Sequence, residues 1–118
     1  MDLPRSARLR RPDEFAAALA AGPIGARRHF SVFARPNGLA HARLGIVTSK
    51  KVAPRAVDRN RVKRVVREAF RTWRDRLHGL DVLVRLRRCP PRGEEGQAGR
   101  ELIHFLTELA GRTAANGP

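Results

Sequence analysis

The 118 residues hold one cysteine, Cys89, and no tyrosine. A lone cysteine closes no intramolecular disulfide, so the fold must rest on burial, and a cytoplasmic setting is expected. His29, His41, His78 and His104 stand 12, 37 and 26 positions apart, which with one cysteine builds no zinc spacing. No apolar run approaches the roughly 20 residues that span a bilayer. The start, residues 1–11, lacks the apolar stretch of a signal peptide, so neither membrane insertion nor secretion is expected. There is no Gly-rich phosphate loop and no Ser-His-Asp pattern. The paired acids Asp13-Glu14 and Glu94-Glu95 stand where helices begin and read as helix-start residues. An autonomous nuclease would need carboxylate or histidine clusters that this chain does not have.

What the chain has is positive charge: 25 Lys plus Arg against 11 Asp plus Glu, a net +14. Such an excess repels itself unless a polyanion neutralises it, which makes nucleic acid the leading partner. Of the basic residues 22 are Arg and only Lys50, Lys51 and Lys63 are Lys. Arg combines bidentate phosphate contact with stacking on bases. The charge is uneven: residues 1–49 carry net +5, residues 50–76 net +8 and residues 77–118 net +1. The middle third is the expected footprint of the partner.

One domain of 118 residues is expected, with a basic arm over residues 1–11. Pro12-Asp13-Glu14 opens a short helix, with Phe15, Ala16 and Leu19 on its apolar side and Gly22-Pro23 ending it. Phe30 to Ala34 and Leu44 to Ser49 read as strands, with the turn chemistry of Asn37-Gly38 between them, and a hairpin is the simplest connection. Leu80 to Leu86 reads as a further strand. Pro90 to Gly99, dense in Pro, Gly and Glu, reads as a flexible loop. A last helix from Glu94 or Gln97 to Ala110 buries Leu102, Phe105, Leu106 and Leu109, with Gly111 placed to cap it. The predicted order is α-β-β-(β)-α-β-α, an α/β sandwich with helices flanking a small mixed sheet.

Asp58 to His78 is the most informative segment. Val62, Val65, Val66, Ala69, Phe70, Trp73 and Leu77 recur at spacings of three and four, the signature of an amphipathic helix. At about 100° per residue they fill an arc of roughly 140°. Asn60, Lys63, Arg64, Arg67, Arg71 and Arg74 fall together within about 100° on one flank. Glu68 and Asp75 lie beyond that flank. A helix solvated by i,i+4 pairs would interleave its signs, whereas a segregated ridge of cations matches a strip of phosphates.

The run Arg59-Asn60-Arg61-Val62-Lys63-Arg64-Val65-Val66-Arg67-Glu68 resembles the signature of the bacterial ribonuclease P protein family. The likeness extends to Ser49-Lys50-Lys51, to Arg8-Leu9 and to Asp13-Glu14-Phe15, covering roughly residues 5–88. It implies a ribosomal-protein-like fold with a rare left-handed βαβ crossover, where general rules favour the right-handed one. It implies that Arg59, Asn60, Arg61, Lys63, Arg64 and Arg67, with Lys50, Lys51, Arg71 and Arg74 beside them, dock on a catalytic RNA. A cleft between the first helix and the sheet would hold the single-stranded 5′ leader of precursor transfer RNA. Phe15 and Phe33 are the candidates for stacking on leader bases there, away from the docking helix. Phe33 stands where many family members have Tyr, so stacking is retained and a hydroxyl contact is lost. The chemistry would belong to the RNA, with Mg²⁺ held by RNA and substrate, and the protein would assist.

Two rivals share the charge. A ribosomal or other structural RNA-binding protein would need no leader cleft. A DNA-binding module using Asp58 to His78 as recognition helix would want a short helix before it at helix-turn-helix spacing, and the strand Leu44 to Ser49 occupies that place. No DNA partner is expected.

Overall fold

A computed structural model describes residues 3–116. Nine residues, Pro12–Ala20, form helix α1, and strands β1 (Pro23–Ala26), β2 (Phe30–Pro36) and β3 (Arg43–Val47) follow. Helix α2 (Ala56–Trp73) leads through a tight 3₁₀ turn at Arg74–Arg76 into β4 (Leu80–Leu86), and helix α3 (Glu95–Asn116) follows. The four strands lie in the order β1-β2-β4-β3, with β2 antiparallel to both neighbours and β3 parallel to β4.

That order corrects the expected hairpin. β2 and β3 are not partners, because β4 lies between them, Val32 opposite Val84 on one side and Ile46 opposite Val84 on the other. The reason lies in β4, where Val82, Leu83 and Val84 are all buried. A strand apolar on both faces is driven to the centre of a sheet, and a β2–β3 hairpin would leave it at the edge. Asn37-Gly38 still makes a turn, with Gly38 at φ +71° and Asn37 Oδ1 accepting the Leu39 N–H, but it carries the chain past the end of β4.

The sheet separates two apolar layers. On one face Phe30, Val32, Leu44, Val82, Val84 and Leu86 pack with Val62, Val66 and Phe70 of α2 and with Leu102, Phe105 and Leu106 of α3. On the other, Phe33 and Leu83 are covered by Ala18 of α1, with Phe15 and Val47 at the margin. The predicted apolar stripes of α2 and α3 are therefore the core, at about 1.5–3 kcal/mol for each large side chain fully buried.

Two helix ends differ from expectation. α2 stops at Trp73 rather than running to His78, and Leu77 is buried from a turn that Gly79, at φ +81°, completes into β4. α3 passes through Gly111, which caps nothing and is exposed. Its start at Glu95 falls between the two predicted starts, Glu94 and Gln97, and so takes in residues 95–99 of the stretch also read as a loop. Glu95 secures this start by accepting the Gly93 N–H.

Candidate nucleic-acid interface

The structure divides the basic segment into cations that hold the protein together and cations that face outward. Arg61 belongs to the first group. Its guanidinium donates to Asp58 Oδ1 at 3.2 Å, Glu95 Oε1 at 3.2 Å and the Pro90 carbonyl at 2.8 Å, with Cys89 Sγ at 3.7 Å. Burial works against its charge, but the bond to Asp58 and the neighbouring thiol and carboxylates outweigh that and hold its pKa above the ordinary value. Arg59 donates to the carbonyls of Ala53 and Pro54 at 2.8 and 2.9 Å, fastening the loop between β3 and α2. The Ser49 hydroxyl accepts the Val52 N–H in the same loop, which displays Lys50 and Lys51 to solvent.

The second group is the ridge. Arg64 and Arg71 are exposed, Lys63, Arg67 and Arg74 half-buried, and Asn60 exposed. None of these six side chains makes a hydrogen bond or ion pair with another described residue. The ridge follows helical spacing as far as Arg71, and Arg74 stands where the 3₁₀ turn begins. Five cations without internal partners on one flank are what a solvated, salt-bridged helix lacks.

Phe33 is 3 % exposed, packed with Ala18 and Leu83, and the Arg85 guanidinium lies over its ring at 5.1 Å. It offers no open ring face in this arrangement. Phe15 is half-buried, and it is not remote from the docking helix: it lines a groove of about 160 Å³ together with Lys63 and Arg67. The sequence reading placed neither Arg85 nor the basic arm at the site. The signal for Arg85 was a lone cation inside the apolar strand Leu80–Leu86. The arm brings Arg5, Arg8, Arg10 and Arg11 beside His41 and Arg43 around an open cavity of about 410 Å³. Charge density over residues 1–11 had marked the arm as basic without showing that it folds back, as the bridge between Arg8 and Leu44 makes it do.

Arg43 is itself neutralised. It donates to both Asp81 oxygens at 2.8 Å and to Glu14 at 2.6 Å, tying α1 to β3 and β4. Glu14 also accepts the backbone N–H groups of Arg11 and Arg10, and these bonds, with Arg43 beside them, lower its pKa to about 2. The helix-start acids thus do structural work. Among the described residues no three His, Cys, Asp or Glu converge in a way that could hold a metal ion, and no helix is long and apolar enough to cross a membrane.

Comparison with known proteins gives the family and the fold. A family model described as Ribonuclease P matches residues 3–110. The chain is 48% identical to the Ribonuclease P protein component of Ralstonia pickettii, over 98% of this chain and 86% of that one. It is 43% identical to the protein of the same description from Chromobacterium violaceum, over 90% and 88% of the two chains. Among solved structures, a mutant RNase P protein of Staphylococcus aureus superposes with a TM-score of 0.79 at 30% identity, covering 88% of each chain. The RNase P protein of Thermotoga maritima superposes with a TM-score of 0.74 at 31% identity, over 86% and 96%. The four-stranded mixed sheet with its three helices, carrying the signature run on α2, therefore places this chain in the bacterial ribonuclease P protein component family.

Proposed function

We propose that this chain is the protein subunit of a ribonuclease P ribonucleoprotein, docking on the catalytic RNA through α2 and assisting removal of the 5′ leader from precursor transfer RNA. The observation that carries the docking is the row Lys63, Arg64, Arg67, Arg71 and Arg74, free of internal partners beside two signature arginines that are not. Asn60 extends the row with an amide, and Lys50 and Lys51 extend it across the loop. In this reading Arg59 and Arg61 act by holding the loop and the helix start in place rather than by touching RNA.

The leader lies against the α1 face of the sheet. Phe15 offers an aromatic edge there, and Phe33 supports Arg85, whose exposed guanidinium is the stacking and phosphate contact. The chemistry belongs to the RNA, with Mg²⁺ held by RNA and substrate. Asp58 and Glu95 are engaged with Arg61, and Glu14 with Arg43.

The test is reconstitution. Purified protein added to its organism's catalytic RNA at low Mg²⁺ should restore precursor cleavage, and RNA-free protein should cut nothing. Lys63→Ala and Arg67→Ala should each weaken RNA binding and reduce the slope of log affinity against log salt by about 1, because each removes one phosphate contact. Asn60→Ala should lower affinity with little change of slope, an amide displacing no counterion. Three unchanged affinities would show that the docking face lies elsewhere.

A further inference from the structure

Arg74, the last cation of the ridge, does not end on flat surface. It lines an open cavity of about 380 Å³ with Asp75 and His78 from the turn after α2 and with His41 from the connection between β2 and β3. Segments distant in sequence build this place. The His41 carbonyl accepts the Gly79 N–H at 3.4 Å and the Asn37 side-chain amide at 3.1 Å, which ties the β2–β3 connection to the turn that follows α2. The His41 ring is held by the arm, its Nε2 lying 2.8 Å from the Ser6 carbonyl. The His78 ring is held by its own turn, its Nδ1 lying 3.2 Å from the Asp75 carbonyl.

These contacts fix both tautomers. A carbonyl oxygen only accepts, so the ring nitrogen facing it carries the hydrogen: Nε2 in His41 and Nδ1 in His78. The other nitrogens, His41 Nδ1 and His78 Nε2, have no hydrogen-bond partner among the described residues, and both histidines are exposed. In a neutral ring such a nitrogen is a lone pair that repels a phosphate oxygen, and in a protonated ring it is a charged donor. The surrounding charges make that difference decisive. Arg74 and Asp75 cancel, so the cavity is formally neutral with neutral imidazoles and carries +2 when both are protonated. Arg76 of the same turn lies over the Trp73 ring at 4.9 Å. His41 also faces the arm cavity, where Arg5, Arg8, Arg10 and Arg11 oppose its protonation, while Arg43 is neutralised by Glu14 and Asp81. A polyanion reverses that balance, because it satisfies the arginines and favours the imidazolium.

We infer that this cavity seats a phosphate of the catalytic RNA on the protonated rings of His41 and His78, so that docking takes up protons. The inference rests on the docking reading above, since Arg74 ends the ridge and a strand lying on the ridge delivers its next phosphate to the cavity beyond.

The experiment measures the affinity of the full chain for the catalytic RNA from about pH 8 to about pH 6, the range in which imidazole changes charge, at constant Mg²⁺ and several salt concentrations. The variants are His41→Gln and His78→Asn, whose amides keep a donor for the Ser6 and Asp75 carbonyls but take up no proton. For the parent, affinity should rise about tenfold for each imidazole as pH falls, and the salt slope should steepen by about 1 for each, every protonation adding one cation to the phosphate contact. In the double variant both effects should vanish. The inference is overturned if the parent's affinity ignores pH, a result independent of how any variant folds. It is equally overturned if affinity falls as pH drops, the sign of a cation held by neutral rings, or if a double variant shown by circular dichroism to be folded keeps the parent's pH dependence. A pH dependence confined to the binding of precursor transfer RNA by assembled holoenzyme would put the phosphate on the substrate and overturn it too. Lys63→Ala and Arg67→Ala separate the two readings. If they flatten the salt slope while the parent's affinity ignores pH, docking stands and the protonated seat falls. If they change nothing, both fall together.

Discussion

Arg61 and Lys63 sit two residues apart in one basic string, and the structure gives them opposite duties. Arg61→Ala would strip partners from Asp58, Glu95 and the Pro90 carbonyl at once. It should cost about 1–3 kcal/mol of stability, read as a lowered denaturation midpoint, because polar groups partly removed from water lose their donor. Once folded, the variant should keep the parent's salt slope for RNA, whereas Lys63→Ala should keep the stability and lose slope. Glu14 gives a second residue-scale expectation. Its pKa falls from 4.5 to about 2 in the folded chain, so its contribution is complete above 4.5 and is lost as pH drops through about 2. Glu14→Gln should therefore flatten the acid limb of a pH-dependent melt between those values. A limb unchanged by the substitution would place the acid sensitivity in another carboxylate.

At the scale of elements, the long helices were legible because their apolar residues recur at three and four, and that period survives any topology. Phe70 and Leu106 are buried where periodicity put them. Strand order was not legible, since β2 and β3 carry turn chemistry between them and only the two-sided burial of β4 reveals that it must lie inside. Gly111 looked like a stop because glycine often is one. Here the buried side chains Leu106, Leu109 and Ala110 hold the helix up to that point and carry it past the glycine. The site divided in the same way. A segregated ridge is a property of one helix and could be read from sequence, whereas the clamps on Arg59 and Arg61 and the groove at Phe15 join residues distant along the chain. The tie between α3 and the sheet is another such contact. Glu101 accepts the backbone N–H groups of His29 and Phe30 and a bond from His29 Nδ1 at 3.0 Å. Glu101→Ala should leave buried donors unpaired and cost about 1–3 kcal/mol in denaturant melts. RNA affinity of the folded fraction should not change, because α3 carries none of the ridge.

Across the whole molecule, 42 × 28 × 27 Å in extent, the sheet is a partition. α2 and α3 cover one face and α1 the other, so the docking ridge and the Arg85 side of the sheet can be engaged by two RNA segments at once. This arrangement predicts a separation of effects. Arg85→Ala should weaken binding of precursor transfer RNA to the assembled holoenzyme while leaving assembly with the catalytic RNA intact. Phe33→Leu keeps the bulk under α1 but removes the π face on which the guanidinium rests, so it should reproduce part of that loss with little change in melting. Losing a stacked base contact is worth roughly 1–3 kcal/mol, which converts to about five- to a hundredfold in affinity. The loss should grow with leader length up to the few nucleotides that reach Arg85. Mature transfer RNA, with nothing to place there, should bind variant and parent holoenzymes alike. Folded Arg85→Ala and Phe33→Leu proteins that discriminate long-leader from leaderless RNA as the parent does would show that this face only packs α1, and that the leader runs elsewhere.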